Sequence, residues 1–344
     1  MALLTIDIKN LLKEELAKEM RLLGLEPFRS SQILDWVYKK CARDFNGMSN
    51  LSAACRETLA KKLYISGLKL LKEQVSQDAT RKFLFELEDG ESIESVFIPS
   101  ANTDTACISS QVGCRFACSF CASGKKGFVR NLLPAEMVNQ VLSIREVPLR
   151  ITNIVFMGIG EPLDNYDNVL KAARLLNAPY GLNIGQRKIT ISTAGVVPGI
   201  RRLAGEDLQV ELSISLHGAN DKMRSGIMGI NNKYPIKELI AASREYIIKK
   251  RRQVTFEYVL IEGLNDSKKD AEELAALIRG MLAKVNLIPL NAVEGLGYAP
   301  PGPKQIKGFK DILDKKGITS IVRATRGMDI SASCGQLKLS HKQE

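Results

Sequence analysis

From about residue 104 the chain repeats one pattern: a short apolar run, a loop of glycine and small polar residues, then an amphipathic stretch. Candidate strands lie at 105–109, 151–157, 188–192, 209–215, 253–260 and 284–288, with a last one at 318–323. Candidate helices at 134–146, 166–177, 198–205, 236–249, 267–279 and 304–315 alternate with them. Strands joined through helices run the same way, so the alternation implies a parallel sheet with helices outside. Six or so units are too few for a closed eightfold barrel. The expected fold class is therefore α/β, built as a partial, open (β/α)6 barrel. In such folds chemistry gathers on the loops at the C-terminal ends of the strands.

Upstream the period differs. Residues 8–24 have helical spacing, with Gly24 as the stop. Pro27 opens a second helix through Trp36 and Val37, and Ser49 or Asn50 caps a third reaching Leu63. Cys41 and Cys55 fall here and read as small buried hydrophobes. Residues 82–88 and 92–98 then alternate about Asp89-Gly90, the pattern of a β-hairpin. The expected organisation is a helical accessory domain at 1–80, a hairpin extension at 81–103, the barrel at 104–330, and a C-terminal loop and tail at 331–344.

No run of eighteen apolar residues and no signal peptide is present. The seven cysteines do not suggest a disulfide framework, so a cytoplasmic location without membrane contact is expected. The net charge is +11, yet the first 100 residues are balanced. The excess lies in the barrel region, which suits a polyanion such as RNA. Lys249-Lys-Arg-Arg252 ends a helix and falls at the bottom of the barrel. Lys125, Lys126, Arg130, Lys268 and Lys269 fall at the top, where a phosphate would be met.

The strand-end loops carry the chemistry. Cys114, Cys118 and Cys121 form CxxxCxxC just after the first barrel strand. Three thiolates can hold three corners of a [4Fe–4S] cube, leaving one iron for a small chelating molecule such as S-adenosylmethionine. A Cys3His zinc site completed by His217 is the competing assignment. Gly158-Ile-Gly-Glu-Pro162 follows the second strand, where small residues let a ligand approach the backbone and Glu161 can receive an ammonium group. Ser192 ends a later strand, as do Ser215, His217 and Asn291, and these last three offer hydrogen bonds to a ribose or carboxylate. His217 is one of two histidines; the other, His341, lies in the tail. Cys107 stands at a strand end. Cys334 stands in a small, polar segment that favours a reactive thiol over a packed one.

These stretches resemble the RlmN/Cfr family of radical S-adenosylmethionine RNA methyltransferases. The resemblance rests on Ile93-Glu-Ser-Val, Cys107 through Cys121, Met157 through Leu163, Ile191 through Pro198, Ile214-Ser-Leu-His217, Asn286 through Asn291 and Cys334-Gly-Gln-Leu337. It implies methylation of an adenine in 23S rRNA, and of an adenine in some tRNAs, by a monomer fed by a flavodoxin-type or other low-potential electron donor. It implies Cys334 as methyl carrier, Cys107 as resolving thiol and Glu94 as base. It also implies cofactor contacts from Gly160, Glu161, Ser192, Ser215, Leu216, His217 and Asn291. Pro162, Pro289 and Arg326-Gly327 match members acting at adenine C2. Ser333, where alanine is usual, and the loop Ala122–Gly127, closer to the C8 type, depart from that pattern. A radical activase is the alternative from outside RNA chemistry, and it would need no carrier thiol.

Overall fold

The computed structural model describes residues 5–125, 127–146, 149–291, 293 and 297–337. Lys126, His341 and the tail from residue 338 lie outside them. The chain opens with β1 (Ile6–Asp7) and a turn of 3-10 helix at Ile8–Asn10, capped by the Asp7 side chain. The first α-helix, α1 (Lys13–Leu22), is therefore shorter than 8–24. After Gly24 (φ +70) come α2 (Arg29–Tyr38), α3 (Ala53–Ala60) and β2 (Leu63–Tyr64), which pairs parallel with β1. Ser52, not Ser49 or Asn50, caps α3, its side chain accepting from Cys55 N at 3.3 Å. Asn50 is occupied elsewhere, accepting from Trp36 Nε1 at 2.7 Å. Cys55 is buried as expected, but Cys41 is exposed: it sits at φ +52 just beyond α2, where the chain turns out of the helix. Buried Lys9 sews this segment to the barrel, donating to Ser66 O and Asn139 Oδ1, both at 2.6 Å.

Next come β3 (Lys69–Val75), β4 (Arg81–Glu86) and β5 (Ser92–Ile98). The last two are the expected hairpin, with Gly90 at φ +80 in its turn. β3 was not expected. It is an edge strand exposed nearly throughout, and without a buried face its sequence shows no alternation. The sheet continues through β6 (Thr105–Cys107). β7 (Gln111–Gly113) and β8 (Phe128–Asn131) form a separate small ribbon around the cysteine loop. From there helices and strands alternate: α4 (Pro134–Glu146), β9 (Asn153–Phe156), α5 (Tyr166–Asn177), β10 (Ile189–Thr193), α6 (Val197–Gly205), β11 (Glu211–Ser215), α7 (Asp221–Ile227), α8 (Ile236–Lys250), β12 (Val254–Leu260), α9 (Lys268–Leu277), β13 (Ala283–Pro289), α10 (Pro303–Lys315) and β14 (Ser320–Val322).

One ten-stranded sheet results, in the order β14-β13-β12-β11-β10-β9-β6-β5-β4-β3. It is parallel from β14 to β6 and antiparallel from there to β3. Every residue of β12 is buried, as a central strand covered on both faces requires. Laid flat, the strands from β9 to β14 would spread over about 24 Å at the usual spacing. Residues at or just beyond the ends of all of them nevertheless line one cavity, so the sheet curls around it. The curl stays open: among the described residues β14 is a sheet edge and does not pair with β6.

Candidate active site

The three clustered cysteines lie between β7 and β8. Gly113 (φ +77) begins the loop, and a Cβ there would stand 2.0 Å from Gly127 O, so only glycine fits. Ala117 takes a left-handed turn (φ +43), and Cys121 N donates to Cys118 O at 3.1 Å. The loop thus winds so that Cys114, Cys118 and Cys121 all face the cavity. Burial pushes the Cys114 thiol up to about 12 and raises Cys118 and Cys121 as well. Left alone they are thiols; a cationic metal group converts them to thiolate ligands. Among the described residues no three His, Cys, Asp or Glu side chains gather to hold a single metal ion. Ligands of one tetrahedral zinc would stand about 3.8 Å apart. His217 does not close a Cys3His set: its Nδ1 accepts from Val259 N at 3.0 Å, and its ring meets Phe120 edge-on, centroids 5.0 Å apart.

The opposite wall comes from the strand ends. At Gly158 a Cβ would lie 2.7 Å from the Ile108 carbonyl, so the loop after β9 packs directly on the β6 chain. Gly160 and Glu161 follow. Glu161 accepts from Leu163 N at 2.9 Å and Ala194 N at 2.6 Å, yet burial still raises its carboxyl to about 7. A ligand cation would restore its charge. Ser192, Ser215, His217 and Asn291 line the same cavity. Burial, then Arg224, lowers His217 to about 3, so it is neutral. With Nδ1 accepting, the proton is on Nε2, ready to donate. Leu216 is fully buried and off the wall; its carbonyl accepts from Arg224 Nε at 3.1 Å. Arg224 is itself fully buried and also binds the Ala194 and Ser215 carbonyls, locking two strand-end loops.

A second cavity adjoins the first. Cys107, at the end of β6, lines the inner one; Cys334 and Arg323 line both. Burial, then Cys334, pushes Cys107 up to about 12, against the pull of Arg323. The segment carrying Cys334 is tied down on several sides. Asp329 accepts from Ser76 Oγ at 2.6 Å and Asp78 from Gly327 N at 3.0 Å, which docks it on the β3–β4 turn. Ala122 N donates to Gly335 O at 2.7 Å, linking it to the cysteine loop. Asn291 Nδ2 donates to Cys334 O at 3.0 Å. Glu94 lies on neither cavity wall. It is buried on β5, 3.4 Å from Lys82 Nζ, and Lys82 also donates to Ser331 O at 3.3 Å.

Several basic residues have other work than the sequence suggested. Arg130 donates two hydrogen bonds to the Glu136 carboxylate and one to Asp89, so its charge is spent inside the chain. Lys250 is buried on the Glu206 and Leu208 carbonyls and Arg252 pairs with Glu211, so that run joins α8 to its neighbours. Lys82, Arg224 and Arg323 carry no local pattern that marks them, because burial in the fold rather than spacing gives each its partners. Glu257 was missed as well, although a lone acid inside the apolar run of β12 was a readable signal.

Comparison with known proteins agrees with this architecture. Residues 108–278 match the Radical SAM superfamily, and residues 6–65 match the ribosomal RNA large subunit methyltransferase N-terminal domain. A probable dual-specificity RNA methyltransferase RlmN of Caldanaerobacter subterraneus subsp. tengcongensis is 47% identical, over 98% of this chain and 99% of the relative. The dual-specificity RNA methyltransferase RlmN of Syntrophotalea carbinolica is 45% identical over 97% of this chain and 90% of its own. The crystal structure of a radical SAM methyltransferase from Sphaerobacter thermophilus superposes with a TM-score of 0.92 at 44% identity, covering 97% of this chain and 99% of that one. With its triple-cysteine loop, strand-end cavity and matching N-terminal segment, this chain belongs to the RlmN family of radical SAM RNA methyltransferases.

Proposed function

We propose that this chain methylates C2 of an adenine in 23S rRNA, and of an adenine in tRNA, by relaying the methyl group through Cys334 and consuming two S-adenosylmethionine molecules per turnover. When bound, the family's [4Fe–4S] cluster supplies one electron, and S-adenosylmethionine supplies first a methyl group and then a hydrogen-abstracting radical. The chain's donors fit both groups. Cys114, Cys118 and Cys121 hold three corners of the cluster. Glu161 receives the ammonium of the cofactor, while Gly160, Ser192, Ser215, His217 and Asn291 seat the rest; Leu216, off the wall with its backbone bonded to Arg224 and Glu257, serves by fixing the turn between Ser215 and His217.

The carrying observation is that Cys334 lines both cavities, the one with the three thiols and the one with Cys107. A relay needs that position. Adenine C2 is a poor nucleophile, so direct displacement is impracticable and the carbon is delivered from sulfur. Once the methylene of Cys334 is joined to C2, the unpaired electron left on the ring has to leave, to the cluster or the donor that supplied one at the start, and the ring proton goes to Glu94, which the adenine must approach from beyond the two cavity walls. Cys107, kept as a thiol by its burial, then gives up its proton and attacks the Cys334 sulfur. The sulfur–sulfur bond forms, the carbon–sulfur bond breaks with its electron pair on carbon, and that carbon takes a proton to become the methyl group.

Pro162, Pro289 and Arg326-Gly327 support C2 over C8. The segment 1–80 serves as accessory domain toward RNA, 81–103 as the hairpin extension of barrel 104–330, and 331–344 as carrier segment. The chain works as a cytoplasmic monomer with a low-potential, flavodoxin-type electron donor. Mass spectrometry of RNA treated with the anaerobically loaded enzyme tests the reading. It yields 2-methyladenosine; 8-methyladenosine alone, or no methylated adenine, overturns it.

A further inference from the structure

Glu257 sits in the middle of β12, in Val254-Thr-Phe-Glu-Tyr-Val-Leu260, where every residue is buried. An ionisable group there is costly unless its oxygens are bonded. One of them is: Oε1 accepts from Asn286 Nδ2 at 3.1 Å, from the residue paired with it on β13. The other, Oε2, is buried and has no partner of good hydrogen-bond geometry among the described residues, with only the Ser213 hydroxyl, diagonal to it on β11, near enough to ease its charge. The residue is 4% exposed, and what it faces is the cavity of the three thiols. A buried acceptor on the wall of a ligand cavity, only weakly met by the protein, leaves room for a donor from the ligand.

Position along the sheet narrows the choice of donor. Glu257 is paired with Ser215 on β11 and lies three strands from β9, whose following loop bears Glu161. That is about 14 Å along the sheet at ordinary spacing, and less across its concave side. A sulfonium cofactor held by its ammonium at Glu161 extends toward β11 and β12 with the sugar leading. The sugar's adjacent hydroxyls are neutral donors that a carboxylate oxygen can take together. A second ammonium is not available, since the cofactor has one and Glu161 meets it. Arg323, on the same wall, faces Glu257 and favours its ionised form against burial.

We infer that Glu257 binds the ribose diol of the adenosyl group taken by this cavity. The inference rests on the cofactor reading of the cavity proposed above. It makes Glu257 a specificity residue for a sugar with both hydroxyls.

The test is anaerobic calorimetry of the cluster-loaded chain with S-adenosylhomocysteine, its 2′-deoxy and 3′-deoxy forms, and its purine analogue lacking the exocyclic amine. Glu257→Gln, the same size without charge, weakens S-adenosylhomocysteine about tenfold. Removing a hydroxyl costs the wild type a similar factor and the variant almost nothing. An equal hydroxyl penalty in wild type and variant overturns the inference. So does a variant whose loss follows the exocyclic amine instead. Should Glu257→Gln not fold, Glu257→Asp keeps the charge but withdraws it by one methylene, and is expected to lose the same discrimination. Wild type binding the deoxy forms as tightly as the parent overturns the inference without any variant. Glu161→Gln is the control: if it leaves binding unchanged, the cofactor reading itself fails and takes this inference with it. If it weakens binding while Glu257→Gln does not, only Glu257 is misassigned.

Discussion

Lys82 and Glu94 offer the sharpest test of the proposed chemistry. They stand on the neighbouring strands β4 and β5, and the register pairs Lys82 with Val96 and Leu84 with Glu94. The two are diagonal on one sheet face, 8% and 5% exposed, with Nζ 3.4 Å from Oε1. At that separation and an effective dielectric of about 20, the gross attraction is about 5 kcal/mol. Breaking a buried pair from one side costs about 3–5 kcal/mol, much of it the burden of the charge left behind. Lys82→Met also removes the bond to Ser331 O, about 1 kcal/mol net. We expect Lys82→Met to destabilise the chain by about 3 kcal/mol, at the low end because Glu94 retains another contact. Adding Glu94→Gln recovers about 2 kcal/mol, since a neutral amide needs no counter-charge. The assay is anaerobic urea unfolding of the four proteins of the cycle, followed by circular dichroism. Effects that add within about 0.5 kcal/mol would refute the coupling. On RNA, Lys82→Met and Glu94→Gln should both accumulate protein–RNA adduct on denaturing gels. Clean turnover by Glu94→Gln would remove Glu94 as the base.

Further outcomes follow from the same geometry. Cys334→Ala abolishes methylation, whereas Cys107→Ala traps a covalent protein–RNA species; an active Cys334→Ala enzyme, or no adduct with Cys107→Ala under turnover, contradicts the relay. The Glu161 carboxyl, about 7 when folded against 4.5 when free, favours its protonated form on folding. Its contribution to stability is full below pH 4.5 and is lost as the pH rises through 7. The melting temperature of the metal-free chain, minus that of Glu161→Gln, should therefore fall between pH 4.5 and 8; a flat difference would show that Glu161 is not buried this way. Chelating the iron lets the Cys114 thiol reprotonate below about 12, and S-adenosylhomocysteine binding should drop with it in calorimetry. Gly158→Ala forces a Cβ against the Ile108 carbonyl and should cost about 1–3 kcal/mol in urea unfolding, with no loss of RNA binding by gel shift.

What could be read from the chain divides by the range of the contacts involved. The parallel strands were legible because burial on both faces leaves apolar runs such as Val254–Leu260. The cysteine loop was legible because its spacing is local. β3 hid because an exposed edge has no pattern. The α3 cap was misplaced because Asn50 bonds Trp36, a choice made by packing. Cys41 was misjudged because its exposure depends on where α2 ends. Arg224, fully buried on carbonyls from two strand ends, looks in sequence like any surface arginine.

The pairing of β5 with β6 has one more implication. Val96 faces Cys107 across that ladder, so Glu94 and Cys107 share one face of it, about 7 Å apart along the strand direction. Two of the three proposed reacting groups are thus bolted to a common rigid plate and cannot separate. On the proposed relay any travel falls to the third, Cys334, and the tethers at Ser76, Asp78, Ala122 and Asn291 are the bonds that such travel would have to stretch or break.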